Sequence, residues 1–267
     1  VLGHLEDYLQ TEWPDLNVYL TTTTEQTSVA SICGPGCDKL VSALLDDFDP
    51  DPETFKFMDW REGRVDGIPV RVFRISFTGE LSYEINIDAS YGLWLWKKIF
   101  ALSQREGGSF DITPYGTEAM HLLRAEKGFI IVGQDTDGTA TPIDLGMKWI
   151  VKKNGEFVGR RSLTRSDTSR QDRKQLVGLV THEPDMVLME GTQIIATEDE
   201  SSIPVPMLGH VTSSYFSPTL GRSIAMALVE SGHSKMGQTV YASRKGDKAL
   251  AVKIVGVDFI KERADGT

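Results

Sequence analysis

A carboxylate at Glu84 and a guanidinium at Arg124 are the side chains whose settings in this sequence point most directly to chemistry. Glu84 closes the run Phe77, Thr78, Gly79, Glu80, Leu81, Ser82, Tyr83, Glu84, which reads as a glycine-bearing turn and the start of a return strand. An ionised carboxylate only accepts hydrogen bonds, and its two oxygens can take two at once from a ligand edge with adjacent N–H donors, as an aminopyrimidinone has. Strand alternation sends Glu84 to the face opposite Tyr83 and Ile85. If those two face a core, Glu84 meets either a ligand or solvent. Arg124 falls on the last turn of a helix ending at Gly128. There it can complement the helix dipole, pair with Glu126 or Asp137, recognise an anion, or orient a carboxylate of the site. The apolar residues Phe129, Ile130, Ile131 and Val132 read as a short strand leading to a loop with Asp135 and Asp137, a junction suited to the mouth of a pocket.

Other chemistries lose their usual signals. Taking Asp135 as the first ligand of a calcium loop puts Ala140 at the turn glycine and Gly146 at the bidentate glutamate, and aligning Gly138 as the glycine makes Gly133 the first ligand. The histidines His4, His121, His182, His210 and His233 form no HxH or HExxH group, and there is no GxSxG elbow or GxGxxG after a strand. Cys33 and Cys37, the only cysteines, flank Gly34, Pro35 and Gly36, which is neither a redox CxxC nor half a zinc site. A metal site is therefore not expected. A net charge of −10 argues against nucleic acid. No apolar run nears the roughly 20 residues that span a bilayer. Low cysteine and no recognisable leader lead to an expected cytoplasmic setting.

The elements that must position these residues follow from periodicity. Leu2, Leu5, Tyr8 and Leu9 mark an opening amphipathic helix, expected to be packed, that ends near Trp13 and Pro14. A start inside such a helix suggests a piece of a longer polypeptide. Residues 18–20 and 28–32 read as strands, and Gly34, Pro35 and Gly36 open a helix to Leu45. Residues 70–77 alternate as a strand whose partner is 83–87. Residues 90–102 are helical, with Tyr91, Trp94, Trp96 and Phe100 expected in the core. Thr113 and Pro114 are expected to cap the next helix, with Ala119, Met120, Leu122 and Leu123 as its inward stripe. A linker is expected over 159–174. Short strands then follow at 175–180, 193–196, 209–213, 223–229, 239–242 and 249–257, separated by turn residues including Gly246, with a solvated basic tip at Arg244, Lys245 and Lys248. That pattern suggests a small barrel or sandwich.

Taken together, these segments resemble the aminomethyltransferase (glycine cleavage T-protein) family over nearly the whole chain. The resemblance rests on Ile32, Cys33, Gly34 and Pro35; on Thr78, Gly79 and Glu80 with Tyr83 and Glu84; on Leu123 to Gly128; and on Gly133, Gln134 and Asp135. It continues through Thr141 and Pro142, Trp149, Val211 to Ser213, Ser217 to Leu220 and Ala225 to Ala227. Arg124 through Gly138, and Glu12 to Leu16, look more like the alpha-subunit family of heterotetrameric sarcosine oxidases, in its carboxyl-terminal half. The resemblance implies an α+β fold, with a folate-binding region over residues 1–165, incomplete at its amino-terminal side, and a β-barrel domain over 166–267. It implies tetrahydrofolate as cofactor, with flavin and NAD held elsewhere in the complex, and the other oxidase subunits as partners. By residue, Glu84 matches the pterin-binding carboxylate and Arg124 a folate-pocket arginine, while Phe77 stands where relatives often carry a tyrosine. With Tyr83 these form the candidate cofactor-binding set. Val132 replaces another tyrosine common in glycine-cleavage members. No catalytic residue is assigned, because the family's acid/base aspartate is expected upstream, so the chain alone is expected to be inactive. A glycine-cleavage aminomethyltransferase and a non-catalytic folate-binding module are the alternatives.

Overall fold

The computed structural model describes residues 1–103, 110–201, 203–244 and 248–260, so Lys245 and Gly246 lie outside the described residues. The chain divides into two compact units, Val1–Ile75 with Ser82–Ile112, and Ser76–Leu81 with Thr113–Thr267.

The first unit comprises α1 (Leu2–Thr11), β1 (Thr27–Cys33), α2 (Cys37–Leu44), β2 (Trp60–Val65), β3 (Ile68–Phe73), β4 (Ser82–Asp88) and α3 (Gly92–Ala101). Its four strands form an antiparallel sheet in the order β1-β4-β3-β2. Tyr83, Ile85 and Ile87 of β4 and Val70 and Val72 of β3 are buried, while the alternate residues Glu84 and Asn86 are half-buried. The helix α2, with Leu40, Val41 and Leu44 buried, packs against β4. The helix α3 packs on β1, where Gly92 approaches Ser28 so closely that an added Cβ would lie 2.4 Å from its hydroxyl. Ser28 pairs with Ile87, so this contact lies on the buried face of the sheet.

Several expectations for this unit are corrected. Residues 18–20 are not a strand, and Tyr19 is 92 % exposed. The strand expected over 70–77 ends at Phe73, because Arg74 turns its hydrogen bonding to Asp59, Pro52 and Phe55. Strand β2 was not anticipated. Its signal was Asp66-Gly67, both residues at positive φ, which is the two-residue hairpin turn that matches strand twist. In α3 the aliphatic Leu95 and Ile99 are buried, whereas Trp96, and Tyr91 just before the helix, are exposed. Helix α1 buries no residue, so it is amphipathic but not packed.

The second unit contains α4 (Thr117–Glu126) and a closed barrel of β5 (Lys174–Thr181), β6 (Gln193–Ile195), β7 (Met207–Ser217), β8 (Arg222–Glu230), β9 (Thr239–Ala242) and β10 (Leu250–Val255). The order around the barrel is β10-β5-β8-β7-β6-β9. Ala225, Ala227 and Val229 of β8 fill the interior beside Val177, Ile194, Val211, Val240 and Val252. The alternate residues Met226 and Leu228 pack outside against Ala125 of α4 and Leu176. A strand covered on both faces reads as an unbroken apolar run, and residues 224–229 do.

Helix α4 departs from its expected pattern. Gly116 is its N-cap, and residues 113–116 precede it without helical structure. Its buried residues are Arg124, Ala125 and Glu126, while Ala119, Met120, Leu122 and Leu123 stay half-buried. It ends in a Schellman motif: Phe129 N–H donates to Arg124 O at 2.9 Å, and Gly128 N–H to Ala125 O at 2.9 Å. Gly128 sits at φ +70°, and an added Cβ would lie 2.6 Å from the Val257 carbonyl oxygen. Gly128→Ala is therefore expected to lower stability by about 1–2 kcal/mol from the backbone conformation alone, with the Val257 contact adding to it. Thermal unfolding by circular dichroism checks this, and an unchanged midpoint would contradict it. Residues 129–132 are not a strand. Only Val132 bridges, to Thr136, since the Ile131 N–H is taken by a side chain, the Asp135 carboxylate.

Candidate ligand-binding site

Glu84 lies on β4, a central strand of the first unit, directly opposite Ser31 on β1 and Phe73 on β3. Tyr83 and Ile85 are completely buried, so alternation directs Glu84 to the face away from α2 and α3. Its carboxylate makes no hydrogen bond or ion pair with any described residue. Burial raises its pKa from the ordinary glutamate value, with no compensating partner. A half-buried acid without a donor is destabilising by itself, which is a reason to look for a ligand that supplies donors.

Tyr83 points the other way. Its ring packs in the core near Phe55, and its hydroxyl donates to Pro50 O at 2.5 Å. Burial raises its phenol pKa. Phe77 is 40 % exposed and sits in the 76–81 segment, which belongs to the second unit with Arg124. That segment turns at Gly79, φ +79°, whose N–H donates to Ser76 Oγ at 2.9 Å. An added Cβ at Gly79 would lie 2.2 Å from Lys127 Cγ, so the turn rests on the end of α4.

Arg124 has no exposed surface, and its two terminal nitrogens are held while its buried Nε has no hydrogen-bond partner. Its Nη1 forms an ion pair with Asp135 Oδ2 and donates to Phe129 O at 3.0 Å. Its Nη2 donates to Ser213 Oγ at 2.8 Å and Tyr215 Oη at 3.3 Å. Asp135, equally buried, accepts from Thr212 Oγ1 and Ser213 Oγ, both at 2.6 Å, and from Ile131 N–H at 2.9 Å. The expected partners Glu126 and Asp137 are not the ones used. Glu126 instead accepts from Ser217 Oγ at 2.5 Å. Asp137 caps its own turn, accepting from Thr139 N–H at 2.8 Å, Thr139 Oγ1 at 2.6 Å and Ala140 N–H at 3.2 Å, which hold its pKa low. Sequence reasoning missed the β7 side of this network. A bulge between Val211 and Ser213 brings two successive hydroxyls, Thr212 and Ser213, to one carboxylate oxygen. The visible signal was Thr212, Ser213 and Ser214 interrupting an apolar strand.

The comparisons agree with this architecture. The chain belongs to the glycine cleavage T-protein family: the GCVT N-terminal domain matches residues 1–155 and the glycine cleavage T-protein C-terminal barrel domain matches residues 174–261. It is 46 % identical over 270 residues to the sarcosine oxidase subunit alpha of Corynebacterium sp. (strain P-1), covering 100 % of this chain and 28 % of that protein. It is 35 % identical to the sarcosine oxidase subunit alpha of Rhizobium meliloti (strain 1021), covering 90 % of this chain and 24 % of the relative. The aminomethyltransferase of Cutibacterium acnes is 32 % identical over 92 % of this chain and 64 % of its own length. The crystal structure of glycine cleavage system aminomethyltransferase T from Bartonella henselae superposes with a TM-score of 0.75 at 21 % identity, over 98 % of this chain and 67 % of that one, which supports the fold. The resemblance and the α+β-plus-barrel fold expected from the motifs are thus borne out. The chain spans about a quarter of the length of the sarcosine oxidase relatives.

Proposed function

We propose that this chain is the tetrahydrofolate-binding portion of a sarcosine oxidase alpha-type subunit, in which the one-carbon unit from sarcosine oxidation is collected as 5,10-methylenetetrahydrofolate. The observation that carries the reading is Glu84, a half-buried carboxylate with no protein donor, on the sheet face not covered by α2 and α3. Two adjacent N–H donors of a pterin edge would satisfy both of its oxygens. When bound, tetrahydrofolate would supply the N5 and N10 amines that accept a carbon at the formaldehyde level.

What this chain's residues contribute is binding and orientation. Glu84 holds the ring by its donor edge, which fixes the angle of approach and so acts through positioning. Phe77 offers a partly exposed ring without the hydroxyl of a tyrosine. Tyr83 and Arg124 act one step back: Tyr83 anchors the strand that carries Glu84, and Arg124 with Asp135 fixes the end of α4 to the barrel. The boundary near residue 165 separates the folate-binding region from the barrel domain in this reading. The acid/base carboxylate belongs to a part of the subunit outside this chain, as do flavin and NAD, and the chain by itself transfers nothing. Its partners are the other oxidase subunits, in the cytoplasm. The higher identity to the sarcosine oxidase relatives favours this over a glycine-cleavage aminomethyltransferase acting on an aminomethylated carrier.

The pH dependence of reduced-folate affinity tests the reading. Bonding to two donors requires the ionised carboxylate, and burial makes Glu84 hold its proton to higher pH than an ordinary glutamate. Affinity is therefore expected to rise with pH through that raised pKa, then level off, and to fall again on acidification. The Glu84→Gln variant should show weaker binding without this rise. Calorimetric titration with 5-methyltetrahydrofolate across acidic and neutral pH reads it. A native profile identical in shape to that of Glu84→Gln would remove Glu84 from the site.

A further inference from the structure

Resting on the folate reading, we propose that Phe73, backed by Trp60, is the stacking wall for the heterocycle whose donor edge Glu84 accepts. The three residues share one row across the sheet: Glu84 on β4 pairs with Phe73 on β3, which pairs with Trp60 on β2. Directly paired residues of an antiparallel sheet project from the same face with Cβ atoms about 5 Å apart. A flat ring laid against Phe73 therefore lies within reach of the Glu84 carboxylate.

The two aromatic rings are already stacked on each other, with centroids 6.1 Å apart and planes 25° from parallel. The stack is not core packing. Trp60 is 55 % exposed and Phe73 half-buried, while the buried neighbours Val72 and Val70 point to the opposite face, where α2 lies. On this face a groove of about 800 Å³ is lined by Phe73 and continues past Asn86, Arg71 and Val29. Asn86 follows Glu84 by two residues on the same strand, so the groove runs directly on from the row. It gives the rest of an elongated ligand somewhere to lie.

The physical roles divide cleanly. Glu84 reads the donor edge and sets orientation. The Phe73 ring covers one face of the ligand, removes water from the carboxylate's bonds and adds stacking worth about 0.5–1.5 kcal/mol beyond the area buried. Trp60 holds the Phe73 ring in its plane. Phe73 was not among the residues anticipated for this site, because the family resemblance pointed to Phe77 instead.

The experiment titrates 5-methyltetrahydrofolate into this chain, by calorimetry and by tryptophan fluorescence. Native chain is expected to bind with quenching, and the quench should vanish in Trp60→Phe while persisting in Trp96→Phe, whose indole lies on α3. Phe73→Leu should weaken binding by about 3–10-fold, from the stacking energy at roughly 1.4 kcal/mol per tenfold. Phe73→Tyr should restore it, which a general packing defect would not allow. If Glu84→Gln weakens binding while Phe73→Leu binds like the native chain, the stacking wall is wrong and the folate site stands. If the native chain neither quenches nor gives heat, both are wrong.

Discussion

Asp135→Ala is expected to lower the unfolding midpoint of the barrel-containing unit by roughly 10 °C. Arg124 and Asp135 are both fully buried, and the carboxylate is the sole counter-charge the guanidinium contacts among the described residues. Removing it leaves a charge in the interior, a loss of about 3–5 kcal/mol, and each kcal/mol moves the midpoint of a chain of this size by about 2–4 °C. The loss spreads, because Asp135 also accepts from Thr212, Ser213 and the Ile131 N–H. The loop after α4 then loses its tie to β7. Arg124→Lys should be nearly as damaging. A lysine is a single cationic point, and it cannot reach Asp135, Phe129, Ser213 and Tyr215 together as the planar fork does. Replacing both charges with apolar residues of similar size should recover much of the loss, since the isolated charge is what costs most. Scanning calorimetry of the three variants decides it. A single Asp135→Ala variant that melts with the native chain would show that the pair is not structural.

Glu84→Gln is expected to behave in the opposite sense, weakening ligand binding by about 10–100-fold with no loss of stability. Hydrogen bonds to a charged acceptor are worth about 1.5–3 kcal/mol, and glutamine offers one acceptor where two are needed. Its amide also turns N–H groups toward the ligand's own donors. Stability should hold or rise, because the native carboxylate is half-buried with no described protein donor and the amide is cheaper to bury. A residue whose replacement leaves the fold intact while removing binding is the mark of a site that trades stability for function.

The alternation that placed Tyr83 and Ile85 inward and Glu84 on the other face was visible in the sequence because a strand repeats every two residues, and the structure keeps that phase. The barrel was legible for the same reason: six short apolar runs between turn residues became six strands. Helix α4 was less so. Its apolar residues suggested an inward stripe, yet the side chains it buries are Arg124, Ala125 and Glu126. Hydrophobic periodicity cannot see a charge paid for by partners about ninety residues later, such as Ser213 and Tyr215. The strand expected at 129–132 failed because a side chain, Asp135, took the backbone donor a ladder would have used. The aromatic residues of α3 misled through size. Bulk suggested core, but Leu95 and Ile99 hold the inward positions. The Phe73–Trp60 row depended on β2, and Asp66-Gly67 was its one local sign.

The proposed site depends most on Glu84, and calorimetric titration of 5-methyltetrahydrofolate into native chain and Glu84→Gln near neutral pH probes that carboxylate alone. Saturable heat from the native chain, at least tenfold weaker binding by a Glu84→Gln variant of undiminished melting temperature, is the result expected from the strength of a charged acceptor. Equal affinities in two equally folded proteins would contradict it, and would leave this acid as an ordinary surface residue of the sheet.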